Sequence, residues 1–189
     1  MLPDDIHKMQ KAIFLDKDGT LVTDVPYNVN PLLVTLEHGV LEGLAALQAS
    51  RFLLVIVSNQ PGISMGIFSE EQLKLLIAYL TDLFKSNHIS LSGFYYCPHV
   101  AAPEPVCKCR KPSPGLLTQA ASDLNIDLSK SWMIGDILND VEAGVSAGCD
   151  TVLINNGNET EWIVNQNRIP DHLADNFLDA ANYILSKQK

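Results

Sequence analysis

Cationic side chains are scarce in this chain: 13 Lys and Arg stand against 22 Asp and Glu among 189 residues, a formal net charge of −9. A body that acidic repels nucleic-acid backbones and anionic membranes, so neither is an expected partner. Long apolar runs are missing as well. No stretch approaches the ~18 apolar residues that a membrane span needs. Met1-Leu2-Pro3-Asp4-Asp5 carries acid where a signal peptide carries Lys or Arg. A cytoplasmic location is the expectation. Internal repeats and Gly/Ser linkers are also absent. With 47% hydrophobic and 19% charged residues, a disordered or low-complexity chain is excluded. One domain spanning residues 1–189 is expected, and, with no apolar stripe beyond what a core needs, a monomer. Cysteine is sparing at four residues, yet Cys97, Cys107 and Cys109 lie close together. In a reducing compartment such clustering points to a metal more than to disulfides.

Short apolar runs alternate with amphipathic stretches. Ala12–Leu15, Phe52–Val57, Trp132–Ile134 and Thr151–Ile154 read as buried strands. Helical periodicity appears over Val40–Ala49, Glu70–Phe84, Pro114–Leu124 and Val141–Ala147, and a last helix is expected around Asp171–Leu185. Ser69-Glu70-Glu71-Gln72 has the form of a capping box, and Pro114 suits a first helical position. Strands and helices in alternation imply parallel β-α-β units with right-handed crossovers, the α/β class.

In open sheets of this kind, ligands bind beyond the carboxyl ends of the strands. The residues just past each apolar run are therefore informative. Leu15 leads into Asp16-Lys17-Asp18-Gly19-Thr20, Val57 into Ser58-Asn59-Gln60, and Ile134 into Gly135-Asp136, with Asp140 four residues on. Asp16 and Asp18, two apart, point the same way from an extended backbone, and Gly19 lets the chain turn. Carboxylates held together repel unless a cation or shared proton intervenes. With Asp136 added from another strand, the oxygen-rich pocket suits Mg²⁺. Turn capping by Asp16 and Asp18 is the plainer reading, but it leaves Ser58, Lys111 and Asp136 unexplained.

Together these segments resemble the four motifs of the haloacid dehalogenase (HAD) superfamily of phosphatases. Asp16-Lys17-Asp18-Gly19-Thr20 matches the first motif, Ser58 the second, Lys111 the third, and Gly135-Asp136 with Asp140 the fourth. The resemblance implies a Rossmann-like parallel sheet flanked by helices. It also implies hydrolysis through an aspartyl-phosphate on Asp16, with Asp18 as general acid and then base. It further implies Mg²⁺ held by Asp16, the Asp18 carbonyl and Asp136, with Asp140 assisting, and a phosphoryl group contacted by Ser58, Asn59 and Lys111.

Cys97-Pro98-His99 and Cys107-Lys108-Cys109 supply four zinc-type ligands, Cys97, His99, Cys107 and Cys109, with no vacant position, as a structural Zn²⁺ site requires. The intervening segment, rich in Ala and Pro, would be ordered by the metal. Two ordinary buried cysteines and a surface His are the plainer alternative. Cys149 reads as a small buried residue, and Trp132 as core.

The loop at about 97–109 runs straight into Arg110-Lys111-Pro112, the densest basic cluster of the chain. That arrangement resembles the histidinol-phosphatase-like subfamily, which lacks a large cap domain and shapes its pocket with short loops. The resemblance implies a small phosphorylated sugar as substrate, with cleavage of the 7-phosphate of D-glycero-D-manno-heptose 1,7-bisphosphate, in heptose precursor synthesis for lipopolysaccharide or surface glycans. Histidinol phosphate is the alternative within the subfamily, and a zinc-stabilised binding module without catalysis is the alternative outside it. Asp24, Tyr27, Asn59, Gln60, Arg110 and Lys111 are the implied substrate contacts. A guanidinium at Arg110 suits a second phosphate, which favours a bisphosphate. Two segments depart from the subfamily pattern: the zinc loop is shorter, and Val25-Pro26-Tyr27 replaces a glycine-containing version. Trp162 and Asn155-Asn156-Gly157-Asn158 lie just beyond the last strand, at the active edge or near it, and are read as packing and turn residues.

Overall fold

A computed structural model describes residues 9–101 and 107–187. Six parallel strands form one sheet in the order β3-β2-β1-β4-β5-β6. They are β1 (Ala12–Leu15), β2 (Leu53–Asn59), β3 (Gly93–Cys97), β4 (Trp132–Gly135), β5 (Asp150–Ile154) and β6 (His172–Ala174). Five α-helices connect or succeed them: α1 (Val40–Ala49), α2 (Glu70–Ser86), α3 (Gly115–Leu124), α4 (Leu138–Ala147) and α5 (Phe177–Ser186). This is the α/β Rossmann-like sheet expected from the alternation of runs.

Strand β1 is buried at all four residues, because it lies between β2 and β4 and is covered on both faces. Its alternation divides the core. Ile13 and Leu15 pack with α1, α2 and α5 through Leu44, Leu80 and Phe177, whereas Ala12 and Phe14 meet α3 and α4 through Leu117 and Ala143. Phe14 is fully buried, so truncation to Ala would cost ~3–5 kcal/mol. The register Phe14↔Val55 and Phe14↔Met133 brings the ends of β1, β2 and β4 to one edge of the sheet.

Four strands and four helices match the periodicity reading closely, and the differences have local causes. β3 escapes that reading because Gly93-Phe94-Tyr95-Tyr96 is only half buried and alternates neither in size nor in polarity. The expected final helix takes in the residues of β6. His172–Ala174 instead pairs with β5 at the sheet margin, and Asn176 caps α5 by accepting from the Asp179 N–H at 3.0 Å. α4 begins at Leu138 rather than Val141, because the Ile137 N–H is met by Asp140 and the Leu138 N–H by Glu159. Pro114 is the residue before α3 rather than its first. The capping box at Ser69 and Gln72 is formed in both directions. No helix among the described residues is long and apolar enough to cross a membrane.

Candidate active site

The chain leaves β1 through a turn that only glycine permits. Gly19 has φ +80°, and a Cβ there would stand 2.1 Å from Asp136 Oδ2. Its absence lets the turn after β1 close directly onto the residue after β4. A second close approach occurs at Gly135, where a Cβ would stand 2.2 Å from the Asp140 Cβ, so Asp140 folds back under the end of β4.

These approaches build a cleft of about 270 Å³ lined by Asp16, Asp18, Asp24, Ser58, Asn59, Lys111, Asp136 and Asp140, among others. Lys111 is its hub. The ammonium pairs with Asp16, lies 2.6 Å from Asp140 Oδ1 and donates to the Val57 carbonyl at 2.9 Å. Burial alone would push its pKa down, but Asp140 and Asp16 more than reverse this and hold Lys111 protonated. Asp140 Oδ1 has no hydrogen bond of good geometry, so its contact with Lys111 is an ion pair at short range. Asn59 supports the hub, exchanging two hydrogen bonds with the Lys111 main chain.

Asp18 sits in a second pairing. Lys17, only 2% exposed, pairs with Asp18 Oδ1, and Gln60 Nε2 donates to Asp18 Oδ2 at 3.1 Å and to Ser58 Oγ at 2.8 Å. Burial raises the Asp18 pKa, the Lys17 ammonium pulls against the rise, and the Asp16 charge adds to it. A carboxyl shifted upward in this way can carry a proton to a leaving group.

Asp136 is pushed up to about 8, first by burial and then by the Asp16 and Asp140 charges. Asp140 reaches about 6, burial again leading, with Lys111 opposing it. Formally, the four carboxylates of Asp16, Asp18, Asp136 and Asp140 face two ammonium groups, Lys17 and Lys111. Two negative charges are left in a buried, oxygen-lined space. Oxygens of Asp16, Asp136 and Asp140 lie within 4.8 Å of one another. A hard divalent cation such as Mg²⁺ fits that donor set and that charge.

The remaining predicted contacts fall on two sides of this cleft. Asp24, Tyr27 and Gln60 line a cavity of about 290 Å³ with Asp18 and Asn59. Tyr27 holds a positive φ of 57° and is exposed. Arg110 lines another cavity, of about 240 Å³, with Lys111, Ser113 and Asn139, and donates to the His99 carbonyl at 3.2 Å. Gln60 and Asn59 thus turn their side chains toward Asp18, Ser58 and Lys111. Sequence reasoning does not mark Lys17 or Asn158 as site residues. Lys17 carries a signal in hindsight, a cation between two carboxylates. Asn158 carries a weak one, its place just beyond the Thr151–Ile154 run at the active edge, but nothing local names its partner Asp136.

At the end of β3, Cys97, His99, Cys107 and Cys109 converge. The sulfur–sulfur separations are 3.6, 3.0 and 3.0 Å, and His99 Nδ1 lies 3.5, 3.1 and 3.4 Å from the three sulfurs. Six near-equal edges define a tetrahedron, slightly contracted from the ~3.8 Å edges that metal–sulfur bonds of about 2.3 Å would give. Burial raises the Cys107 thiol, but hydrogen bonds from Cys109 and from the Cys109 and Arg110 main chain bring it down to about 6. Cys97 and Cys109 are raised, by burial first. The donor set fits Zn²⁺, which would displace the remaining thiol protons. Residues 102–106, inside the expected zinc loop, lie outside the described residues. Cys149 and Trp132 are buried as expected, whereas Trp162 is 44% exposed.

Comparison with known proteins gives a consistent picture. A HAD-hydrolase-like family model matches residues 108–180. The D-glycero-beta-D-manno-heptose-1,7-bisphosphate 7-phosphatase of Pasteurella multocida (strain Pm70) is 42% identical over 154 residues, covering 79% of this chain and 84% of that protein. The enzyme of the same name from Escherichia coli (strain K12) is 37% identical over 172 residues, covering 84% and 90%. Among solved structures, the D,D-heptose 1,7-bisphosphate phosphatase from B. bronchiseptica, complexed with magnesium and phosphate, superposes with a TM-score of 0.80. It is 26% identical, and the match covers 94% of this chain and 99% of that one.

Proposed function

The chain belongs to the HAD-like hydrolases, among relatives named heptose-bisphosphate 7-phosphatases, and on that premise we propose that it removes the 7-phosphate of D-glycero-β-D-manno-heptose 1,7-bisphosphate. It is a phosphoric monoester hydrolase. The observation that carries the reading is the convergence of Asp16, Asp18, Ser58, Lys111 and Asp136 on one cleft. Each supplies one need of phosphoryl transfer: nucleophile, proton donor, and charge or hydrogen bonds around the equatorial oxygens.

In the first step, an Asp16 carboxylate oxygen attacks phosphorus in line. The phosphorus–oxygen bond to the sugar breaks, and Asp18 passes its proton to the departing alkoxide. In the second step, water attacks the phosphorus of the aspartyl-phosphate and gives a proton to Asp18. The bond from phosphorus to Asp16 breaks, releasing inorganic phosphate. Lys111 pairs with Asp16 and faces the transferring group, Ser58 donates to it, and Gln60 holds Asp18 and Ser58 in mutual register. Mg²⁺, held by Asp16, the Asp18 carbonyl and Asp136, would neutralise phosphoryl charge. Zn²⁺ on Cys97, His99, Cys107 and Cys109 would be structural, fixing the segment that presents Arg110 and Lys111. Asp24 and Tyr27 face the sugar in this reading, and Arg110 takes the 1-phosphate.

The test is Mg²⁺-dependent phosphate release from both anomers of the heptose bisphosphate and from histidinol phosphate. A kcat/KM at least a hundredfold higher for the β-anomer than for histidinol phosphate, about 2.7 kcal/mol in the transition state, is expected. A preference for histidinol phosphate would overturn the substrate and leave the Asp16 chemistry in place.

A further inference from the structure

Residues 155–171 join β5 to β6, and their first turn reaches into the catalytic cleft. Asn156 Nδ2 donates to the Gly19 carbonyl at 2.6 Å, and Asn156 Oδ1 accepts from the Asn158 N–H at 3.1 Å. Gly157 lies between them with φ +92°. This turn, fixed at Asn156, aims the Asn158 side chain inward, where Nδ2 donates to Asp136 Oδ2 at 2.7 Å. Thr20 Oγ1 donates to the other oxygen, Asp136 Oδ1, at the longer distance of 3.3 Å. Glu159 continues the contact by accepting from the Leu138 N–H at 2.7 Å, at the start of the helix just after Asp136.

We propose that Asn158 is a positioning residue for the divalent cation, holding the Asp136 carboxylate in one rotamer by gripping Oδ2, with Thr20 on Oδ1 as the weaker second contact. This inference rests on the reading above that Asp136 binds the cation. A carboxylate with no grip on either oxygen rotates freely, and fixing it before the metal arrives saves that entropy; outer partners of metal ligands typically set affinity by 10–100-fold. The amide also suits the charge of the site. A lysine at 158 would compete with the cation, and an aspartate would add a charge to a cluster already in surplus. Asparagine orients Asp136 and leaves the charge unchanged.

Mn²⁺ binding to the substrate-free full chain, followed by the electron paramagnetic resonance signal of free Mn²⁺, tests this without relying on turnover. Asn158 is exposed on its outer side, so Asn158→Leu and Asn158→Ala remove the donor without opening a core cavity. Both should weaken Mn²⁺ binding at least tenfold. Asn156→Ala, which loosens the turn that aims Asn158 and keeps its donor, should weaken binding too, by less than the Asn158 variants. Unchanged Mn²⁺ affinity in the two Asn158 variants overturns the proposal. Asp136→Asn separates the two levels of the argument. If it weakens Mn²⁺ binding and the Asn158 variants do not, only the role of Asn158 fails. If it leaves Mn²⁺ binding unchanged, the assignment of Asp136 fails and the proposal with it.

Discussion

Asn59 grips the Lys111 main chain at both ends: its Oδ1 accepts from the Lys111 N–H and its Nδ2 donates to the Lys111 carbonyl, each at 3.0 Å. The pairing imitates one rung of a β-ladder. It fixes the backbone from which the buried ammonium reaches Asp16 and Asp140.

Asn59→Ala should therefore lower kcat/KM by ~10–100-fold through displacement of Lys111, a shift of an ångström being enough for that loss. Two part-buried hydrogen bonds disappear, so urea unfolding should show a loss of ~1–3 kcal/mol. Unchanged kinetics with reduced stability would show that Asn59 serves the fold alone.

Asp16→Asn should reduce phosphate release below a few per cent of wild type while retaining the far-ultraviolet circular dichroism of the fold. No phosphoenzyme should be trapped by acid quench. Residual turnover above that level would remove Asp16 from the role of nucleophile.

If Asp136 holds the cation as proposed, protons compete with it for that carboxyl, which burial and like charges push up to about 8. Apparent Mg²⁺ affinity should rise about tenfold per pH unit toward pH 8 and level off above it. The metal-free fold has the opposite slope. Asp136 and Asp140 lie above their unfolded values near 3.9, so the stability linked to them is complete below about pH 4. It is lost as pH rises through about 6 for Asp140 and about 8 for Asp136. Thermal scans should show the Mg²⁺-induced rise in Tm growing from pH 5.5 to pH 8.5. A rise that shrinks over this range would contradict the assignment of Asp136.

Metal analysis should find about one zinc per chain that survives dialysis against EDTA at neutral pH. Cys109→Ser should lose it, with a lower Tm and a lower kcat/KM, because the same segment carries Arg110 and Lys111. A folded, zinc-free wild type would refute the structural site.

The parts of the fold legible from sequence are those whose cause is local. β1 is four apolar residues with polar neighbours, and α1 repeats Val40, Leu44 and Leu47 on one face. β3 and β6 are strands by virtue of their neighbours: half-exposed aromatics paired to β2 in one case, three residues at the margin of β5 in the other. The site divides in the same way. Asp16, Asp18, Ser58, Lys111 and Asp136 stand at strand ends or in a basic cluster and announce themselves. Asn158 and Glu159 act across more than twenty residues on the ends of other elements, and the polar turn that holds them is indistinguishable from any solvent-facing loop.

The position of β1 has a consequence for the chain as it is synthesised. The strand bearing Asp16 emerges first yet sits in the middle of the sheet, and its neighbour β4 arrives more than a hundred residues later. Until then its carboxylates lack the Asp136 wall of the cleft, and one flank of the strand has an open row of backbone hydrogen bonds. A nascent chain carries half a cleft, with Lys17 beside Asp18 but no opposite wall. The cleft is therefore complete only once β4 has docked, so that phosphatase activity in this molecule also reports that β1 and β4, distant in the chain, have paired.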